Sequence, residues 1–221
     1  IDHSGAIGVD AQDKLMAQLS QEDEARTRLA REQGRALLSR LRERAVGAGA
    51  LTVDSRLRHG GVEETLAEQQ DGSRLLILGR TGETGSGLGR HLEWVVRSAR
   101  RPVLVVPGAY RDPQKVLFAF DGSSVTRKGV DMLAASPLLR GMTLQLVMAG
   151  EPGAADRKQL DRAVQTLCDK GIVASAMTRP GAPHEVMKTT LAEGFDLLVM
   201  GSYSHSPLRS LLFGSKTSEM L

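Results

Sequence analysis

The chain has few aromatic residues and a single cysteine. Aromatic side chains make up 3% of its 221 residues, which disfavours a surface of stacked rings for single-stranded nucleic acid. Cys168 is the only cysteine, so an internal disulfide framework is excluded. This cysteine usage fits a reducing compartment, and we expect a cytoplasmic protein in which Cys168 is a thiol of the core.

Long apolar runs and a strong charge of one sign are also missing. No stretch approaches the ~20 apolar residues that a membrane-spanning helix needs, and no signal-peptide pattern is visible. The net charge is +3, and acidic and basic residues alternate along the predicted helices. That pattern favours a solvated surface over a nucleic-acid interface. The histidines are scattered without metal-ligand spacing, so we predict no metal site. The missing apolar runs and the mixed charge predict neither a membrane partner nor a nucleic-acid partner.

What the chain does have is a regular alternation of helical segments and short apolar runs. This alternation predicts an α/β fold with parallel strands covered on both faces by helices. The predicted helices span 13–46, 61–70, 91–99, 125–135, 156–170 and 183–193, with a further helix opening at 214. The predicted strands span 50–56, 74–78, 103–106, 116–120, 142–148, 172–178 and 195–200.

The order of these elements repeats along the chain. Arg58-His59-Gly60 precedes a helix and the run LLILG, which ends at Gly79; Arg179-Pro180-Gly181 precedes a helix and LLVMG, which ends at Gly201. The two glycine-to-glycine distances are 19 and 20 residues. Such self-similarity predicts a tandem duplication, with domains over 1–107 and 116–221 and a turn-rich linker over 108–115.

Each copy contains strands that the other lacks. The second copy opens with the strands 116–120 and 142–148, which have no counterpart before residue 13. The first copy closes with the strand 103–106, which has no counterpart after residue 221. We therefore expect that both ends of a longer tandem protein are cut.

The stretch VMGSYSHSPLRSLLFGS, residues 199–215, follows the last predicted strand. Ligands of open α/β sheets bind at the carboxyl ends of strands, and a helix opening near 214 would present N–H groups to an anion. The stretch therefore predicts a phosphate cradle made of backbone. The P-loop and dinucleotide patterns do not match it, and a Ser/His hydrolase would need a nucleophile elbow that is absent.

The spacing within this stretch resembles the signature of the universal stress proteins. Gly201, Ser204, Gly214 and Ser215 follow the pattern G-2x-G-9x-G-[ST], with serine in place of the second glycine. The strand that leads into Asp121 resembles the opening strand of that family. The first copy matches more loosely, with a shorter loop and Arg90 at the place of the Ser or Thr, so we expect its site to be incomplete.

The resemblance is to tandem-domain members, and it implies two open parallel-sheet domains that are Rossmann-like, of the adenine nucleotide alpha hydrolase-like type. It also implies a stress-response binding module without strong catalysis, which binds ATP in the second domain, with Mg²⁺ as a candidate companion ion. The residues that the resemblance assigns to this site are Ala119, Phe120, Asp121, Val147, Met148, Met200, Gly201, Ser204, Gly214, Ser215, Lys216 and Thr217.

Two other functions remain open from the sequence. The chain could be an interaction protein that binds no nucleotide and forms a homodimer or an intramolecular pseudo-dimer through closing strands such as 103–106. It could also be an adenylyl-transferring enzyme of a related α/β superfamily, although the HIGH-like motif expected of such an enzyme is missing.

Overall fold

The computed structural model describes residues 9–58, 60–80, 92–107 and 111–201, apart from the side chains of 9–13 and of Glu93. The chain divides into two compact units, residues 1–61 and residues 62–221. None of the helices in the described ranges is long and apolar enough to cross a membrane.

The first unit is dominated by one helix, α1 (Val9–Gly47), which is 39 residues long. Its sequence is rich in Ala, Leu, Arg, Glu and Gln, which are strong helix formers. The chain then turns at Gly49, which has a φ of +92°, and brings Leu57 against Gly34. The strand predicted over 50–56 is wrong, because residues 50–58 have no strand assignment. A strand needs a neighbour for its backbone hydrogen bonds, and the described part of this unit offers none.

The second unit begins with a small parallel pair of strands. Its elements are α2 (Val62–Gln69), a 3₁₀ turn (Gln70–Gly72), β1 (Leu76–Gly79), α3 (Leu92–Ser98) and β2 (Val103–Val106). The strands β1 and β2 pair in parallel, with Leu76 opposite Val103. The buried side chain of Gln70 accepts a hydrogen bond from the Arg100 N–H at 2.9 Å, which ties the turn to the segment before β2.

A four-stranded parallel sheet follows in the same unit. Its elements are β3 (Lys115–Ala119), α4 (Ser124–Ala135), a 3₁₀ turn (Pro137–Leu139), β4 (Thr143–Ala149), α5 (Ala154–Cys168), β5 (Val173–Arg179), α6 (Pro183–Leu191) and β6 (Leu197–Val199). The strand order is β5-β4-β3-β6. The predicted mixed α/β fold with parallel sheets is confirmed, while the division into tandem domains stays a prediction.

Two apolar clusters cover the two faces of this sheet. Phe118, Leu146 and Leu167 belong to one cluster, and Leu117 and Val186 belong to the other. Successive residues of β3 therefore point to opposite cores, as the period of two in a strand requires. Coverage of both faces explains why β3 is continuously apolar from Val116 to Ala119.

Cys168 does not lie in the core as predicted; it is exposed. The buried stripe of α5 consists of Leu160, Ala163 and Leu167. Each helical residue is rotated by about 100° from the previous one, so Cys168 turns away from the stripe that ends at Leu167. The sulfur of Cys168 lies 3.8 Å from the carbonyl oxygen of Ala174.

Candidate functional site

The connections of the four-stranded sheet create one topological switch point. From β3 the chain moves to β4 and β5 on one side and then crosses to β6 on the other side of β3. The carboxyl ends of β3 and β6 lie side by side, since Phe118 pairs with Val199 in parallel register. Ligands of open α/β sheets bind in the crevice at such a reversal of strand order. Asp121 and Gly201 follow these two strand ends.

Asp121 organises the turn between β3 and α4. One carboxylate oxygen, Oδ1, accepts hydrogen bonds from the Ser123 N–H at 2.9 Å and from the Thr126 hydroxyl at 2.8 Å. Gly122 has a φ of +73°, which L side chains rarely adopt, and a Cβ there would lie 3.1 Å from the Gln159 amide oxygen. The turn therefore depends on both the carboxylate and the glycine.

The environment of Asp121 favours its ionised form. Burial acts to raise its pKa, but hydrogen bonds from Ser123 and Thr126 together outweigh burial and lower the pKa below its ordinary value. Within the described part of the chain, the other carboxylate oxygen, Oδ2, accepts no hydrogen bond. Asp121 thus presents a charged acceptor that suits a hydroxyl or amino donor of a ligand.

The start of α4 presents hydrogen-bond donors at the same edge of the sheet. Ser123 is the N-cap residue, and its hydroxyl oxygen accepts the Thr126 N–H at 3.3 Å. Among the described residues, the N–H groups of Ser124 and Val125 have no hydrogen-bond partner. The N-terminus of a helix carries a partial positive charge, so this turn favours an anion nearby.

Gly201 lies directly against this first turn of α4. A Cβ on Gly201 would come 3.2 Å from Val125 Cγ1 and 3.8 Å from Thr126 Cγ2. A side chain at this position would push on α4, and the absence of one lets the end of β6 approach the helix closely. Gly201 and Asp121 are therefore linked through the same helical turn.

The other described residues of the predicted site lie lower in the sheet. Ala119, Phe120, Val147 and Met148 are buried. The carbonyl oxygen of Val147 accepts the Phe120 N–H at 2.9 Å, and Met148 pairs with Thr178. These four residues lie in β3, directly after it, or in β4, whereas Asp121, Met200 and Gly201 follow the strand ends. Ser204, Gly214, Ser215, Lys216 and Thr217 lie outside the described residues.

The sequence prediction missed the residues that hold Asp121 in place. Ser123 and Thr126 bond its carboxylate, and Arg127 donates hydrogen bonds to the Gly122 carbonyl and, at 3.3 Å, to the Gln159 amide oxygen. A signal was present in the spacing, because Asp, Ser and Thr at 121, 123 and 126 match a turn followed by an N-cap. Within the described ranges, no group of three or more His, Cys, Asp and Glu residues could hold a metal ion.

Comparisons with known proteins support the sequence-based resemblance. The chain matches no protein-family model. It is 29% identical over 225 residues to the universal stress protein Slr1230 of Synechocystis sp., a match that covers 99% of this chain and 78% of that protein. The fold matches the crystal structure of a universal stress protein from Archaeoglobus fulgidus with a TM-score of 0.57 and 14% sequence identity, over 97% of this chain and 76% of that one. The chain is therefore similar to universal stress proteins, and the resemblance predicted from its motifs is confirmed.

Proposed function

We propose that this protein is a stress-response binding module that holds ATP at the crevice between β3 and β6. The observation that carries the proposal is the convergence of three features at the switch point of the sheet. Asp121 offers the acceptor Oδ2, the first turn of α4 offers N–H donors, and Gly201 lets the end of β6 approach that turn closely. Sugar hydroxyls need such an acceptor, and phosphates need such donors.

The charges at this edge favour one orientation of the nucleotide. The Asp121 carboxylate is ionised and would repel a triphosphate, so the ribose and adenine are expected beside Asp121. The phosphates are then expected on the side of Gly201 and of the signature residues 204–217. Mg²⁺ would accompany the triphosphate, because Mg²⁺ in nucleotide sites is usually bound through the substrate phosphates.

We propose binding rather than rapid turnover. A general base works best with a pKa near the working pH, whereas hydrogen bonds lower the pKa of Asp121 below its ordinary value. A nucleotide held at this edge would then act through the shape and stability of its complex. A steady-state ATPase or adenylyl-transfer rate that is lost in Asp121→Ala would contradict the binding-only function.

Calorimetric titration of the intact chain with ATP and Mg²⁺ tests the site. Asp121→Asn should weaken ATP binding about tenfold, because a charged acceptor becomes a neutral amide. Gly201→Val should also weaken binding, because its side chain would press on Val125 and push the end of β6 away from the first turn of α4. Asp131→Asn, at an exposed position of the same helix, is the matched control. If wild-type protein gives neither heat nor a thermal shift at millimolar ATP, the ATP proposal fails.

A second candidate function is an interaction protein that pairs through its closing strands. All four residues of β2 are half-buried, and among the described residues β2 pairs with β1 alone. Two-stranded sheets are marginally stable by themselves, so a further strand would stabilise this pair. The partner would be a second copy, or the other half of the same chain in a pseudo-dimer. Association that is disrupted by Val105→Pro but indifferent to ATP would favour this function over the first.

We also propose a cytoplasmic location. The single cysteine is exposed and has no second cysteine with which to pair inside the chain. Exposed free thiols persist in reducing compartments. Fractionation of cells that express the intact protein tests the location, and recovery with a membrane or secreted fraction would contradict it.

A further inference from the structure

The helix α1 carries a regular row of side chains that its own unit leaves exposed. The row, here called the α1 stripe, repeats at alternating steps of four and three residues, the spacing of a coiled-coil seam. Its members are Leu15, Leu19, Glu22, Arg26, Leu29 and Gln33. The three leucines are 55%, 48% and 55% exposed, which is far more than an apolar seam normally shows when it is packed.

A different face of α1 contacts the rest of its unit. Gly34, Leu38 and Ala45 are half-buried, and Leu57 lies against Gly34. At about 100° per residue, these three positions point on average roughly a third of a turn away from the centre of the α1 stripe. The segment 50–58, which follows the helix, therefore covers one face of α1 and leaves the α1 stripe open to a partner.

The α1 stripe is complementary to itself when two copies run in opposite directions. With the two-fold axis at residue 24, Leu19 of one copy faces Leu29 of the other, and Glu22 faces Arg26. Two-fold symmetry makes each of these contacts occur twice. Within the described residues, neither Glu22 nor Arg26 forms an ion pair with another side chain of its own chain.

Charge also selects the direction of pairing. Two parallel copies in register would place Glu22 against Glu22 and Arg26 against Arg26. Like charges across an interface disfavour association, and polar residues in a seam fix its register and orientation. We infer that two copies of this chain associate through antiparallel pairing of their α1 helices along the α1 stripe. This interface is separate from the edge between β3 and β6 and does not depend on nucleotide.

A charge exchange on the intact chain tests the interface. Sedimentation velocity over concentrations on the order of 1 to 100 µM should show reversible dimers of the wild type. Glu22→Arg should weaken the dimer on the order of a hundredfold, because Arg then faces Arg at both symmetric contacts. Arg26→Glu should do the same. The double variant Glu22→Arg/Arg26→Glu should restore the affinity to within about threefold, because each pair is rebuilt with reversed sign.

The matched control carries the same exchange on the opposite face of the helix. Glu24→Arg/Arg28→Glu keeps the charge of α1 unchanged at two exposed positions outside the stripe, and should leave the dimer constant unaltered. A chain that stays monomeric at every concentration overturns the inference. So does a dimer that tolerates Glu22→Arg, which would have to form elsewhere, for instance through closing strands.

Disulfide trapping tests the direction. In a Cys168→Ser background, Leu19→Cys mixed with Leu29→Cys should oxidise to the mixed dimer faster than either variant forms a dimer by itself. Preferential self-linking of Leu19→Cys would indicate parallel helices and would overturn the antiparallel arrangement. Titration of the charge variants with ATP separates this inference from the proposed function, because ATP binding should be equal in all of them.

Discussion

Asp121 and Asp196 lie at opposite ends of the parallel strands, and both accept hydrogen bonds from nearby backbone N–H groups. Asp121 follows β3 and accepts the Ser123 N–H, whereas Asp196 precedes β6 and accepts the N–H groups of Gln114 and Lys115 at 2.9 and 3.0 Å. The backbone bonds of Gln114 and Lys115 lower the pKa of Asp196. These carboxylates therefore join the ends of neighbouring elements through charged acceptors.

The lowered pKa values predict a loss of stability in acid. A carboxylate whose folded-state pKa is lowered stabilises the fold above its unfolded pKa, about 3.9, and this contribution is lost as the pH falls through the folded value. The free energy of unfolding of the wild type should therefore fall more steeply below about pH 4 than that of Asp121→Asn/Asp196→Asn. Urea denaturation between about pH 5 and pH 2 measures both curves.

Glu193 leaves a residual slope in the double variant, because its hydrogen bond and ion pair with Arg179 also lower its pKa. Asp131→Asn is the control substitution, because the Asp131 carboxylate forms no hydrogen bond or ion pair with another described residue. Curves of wild type and double variant that run parallel down to pH 2 would show that neither carboxylate contributes in this way.

Thr126 provides a second prediction at the same turn. Thr126→Val keeps the shape of a side chain that is 4% exposed but removes the hydroxyl that donates to Asp121. We expect unfolding to become easier by about 1 kcal/mol, and the pKa of Asp121 to rise because one hydrogen bond to its charged form is gone. Urea denaturation and NMR titration of the Asp121 carboxyl measure the two effects. Thr178→Val, at an exposed position of β5, should change neither quantity; an unchanged Asp121 pKa in Thr126→Val would rule out the coupling.

At the residue scale, sequence reasoning located the strand ends better than the contacts around them. Asp121 and Gly201 were assigned to the site by the family resemblance, and both follow apolar strands whose ends can be read from the residue order. The spacing of Asp121, Ser123 and Thr126 indicated a turn and an N-cap, but the burial of Thr126 against that turn could not be read from a single threonine in a helix. Cys168 was predicted inside because cysteines are often buried, but the turn of α5 decides its exposure.

At the scale of elements, the predicted helices and strands between 62 and 201 are confirmed to within a few residues at their ends. Each strand there has a neighbouring strand, so an apolar run has the hydrogen bonds that it needs. The segment 50–56 alternates apolar and polar residues, but it has no such neighbour among the described residues, and it forms no strand. The local sequence pattern therefore predicted a strand correctly where a neighbouring strand is present to pair with it.

The tripeptide Leu-Ala-Glu occurs in both halves of the predicted repeat but at different places in the structure. Both halves contain Leu-Ala-Glu, but Glu68 lies within α2, whereas Glu193 lies beyond the end of α6 and binds Arg179 at 2.5 and 2.7 Å. Counted back from Gly79 and Gly201, the residue equivalent to Glu193 is Asp71, eight positions before the glycine in both halves. The two halves of the predicted repeat therefore align better by counting back from the glycine that follows each strand than by matching the shared tripeptide.

Packing of α4 on β3 predicts that a glycine-to-alanine change in this helix lowers the stability of the protein instead of raising it. Replacing a helical glycine by alanine normally stabilises a helix by about 1 kcal/mol. A Cβ on Gly129, however, would lie 3.0 Å from the ring of Phe118, which is 1% exposed and has little room to move. Gly129→Ala should therefore destabilise the protein by about 1 kcal/mol, since overpacking costs more than the helix gains.

A double-mutant cycle checks the cause of that effect. In a Phe118→Leu background, Gly129→Ala should become neutral or stabilising, because the ring that it meets is gone. Gly47→Ala is the control, since a Cβ at the end of α1 would meet nothing within 4 Å. If Gly129→Ala stabilises the wild type in urea denaturation, the close approach of α4 to Phe118 is not what limits this position.

At the scale of the whole molecule, the two units differ in how their helices are stabilised. Among residues 14–58, every described side chain is exposed or half-buried. The sheet in residues 115–199 instead encloses fully buried side chains such as Leu117 and Leu146. Within its unit, α1 therefore depends mainly on local helix propensity, since it lacks the buried packing from which helices in proteins draw most of their stability.

This difference predicts an amide exchange pattern that depends on protein concentration. In dilute solution, amides of α1 should exchange much faster than those of β4, because local opening needs little free energy where few side chains are buried. As the concentration rises, amides between 15 and 33 should become protected when α1 helices pair, while β4 should not change. Hydrogen exchange with mass spectrometry on the intact chain measures both regions in one sample. In Glu22→Arg the protection of α1 should stay low at every concentration, because Arg then faces Arg26 of the second copy. Equal protection of α1 and β4 in the most dilute sample would mean that a single chain already buries this helix, and the α1 stripe would then have no role in pairing.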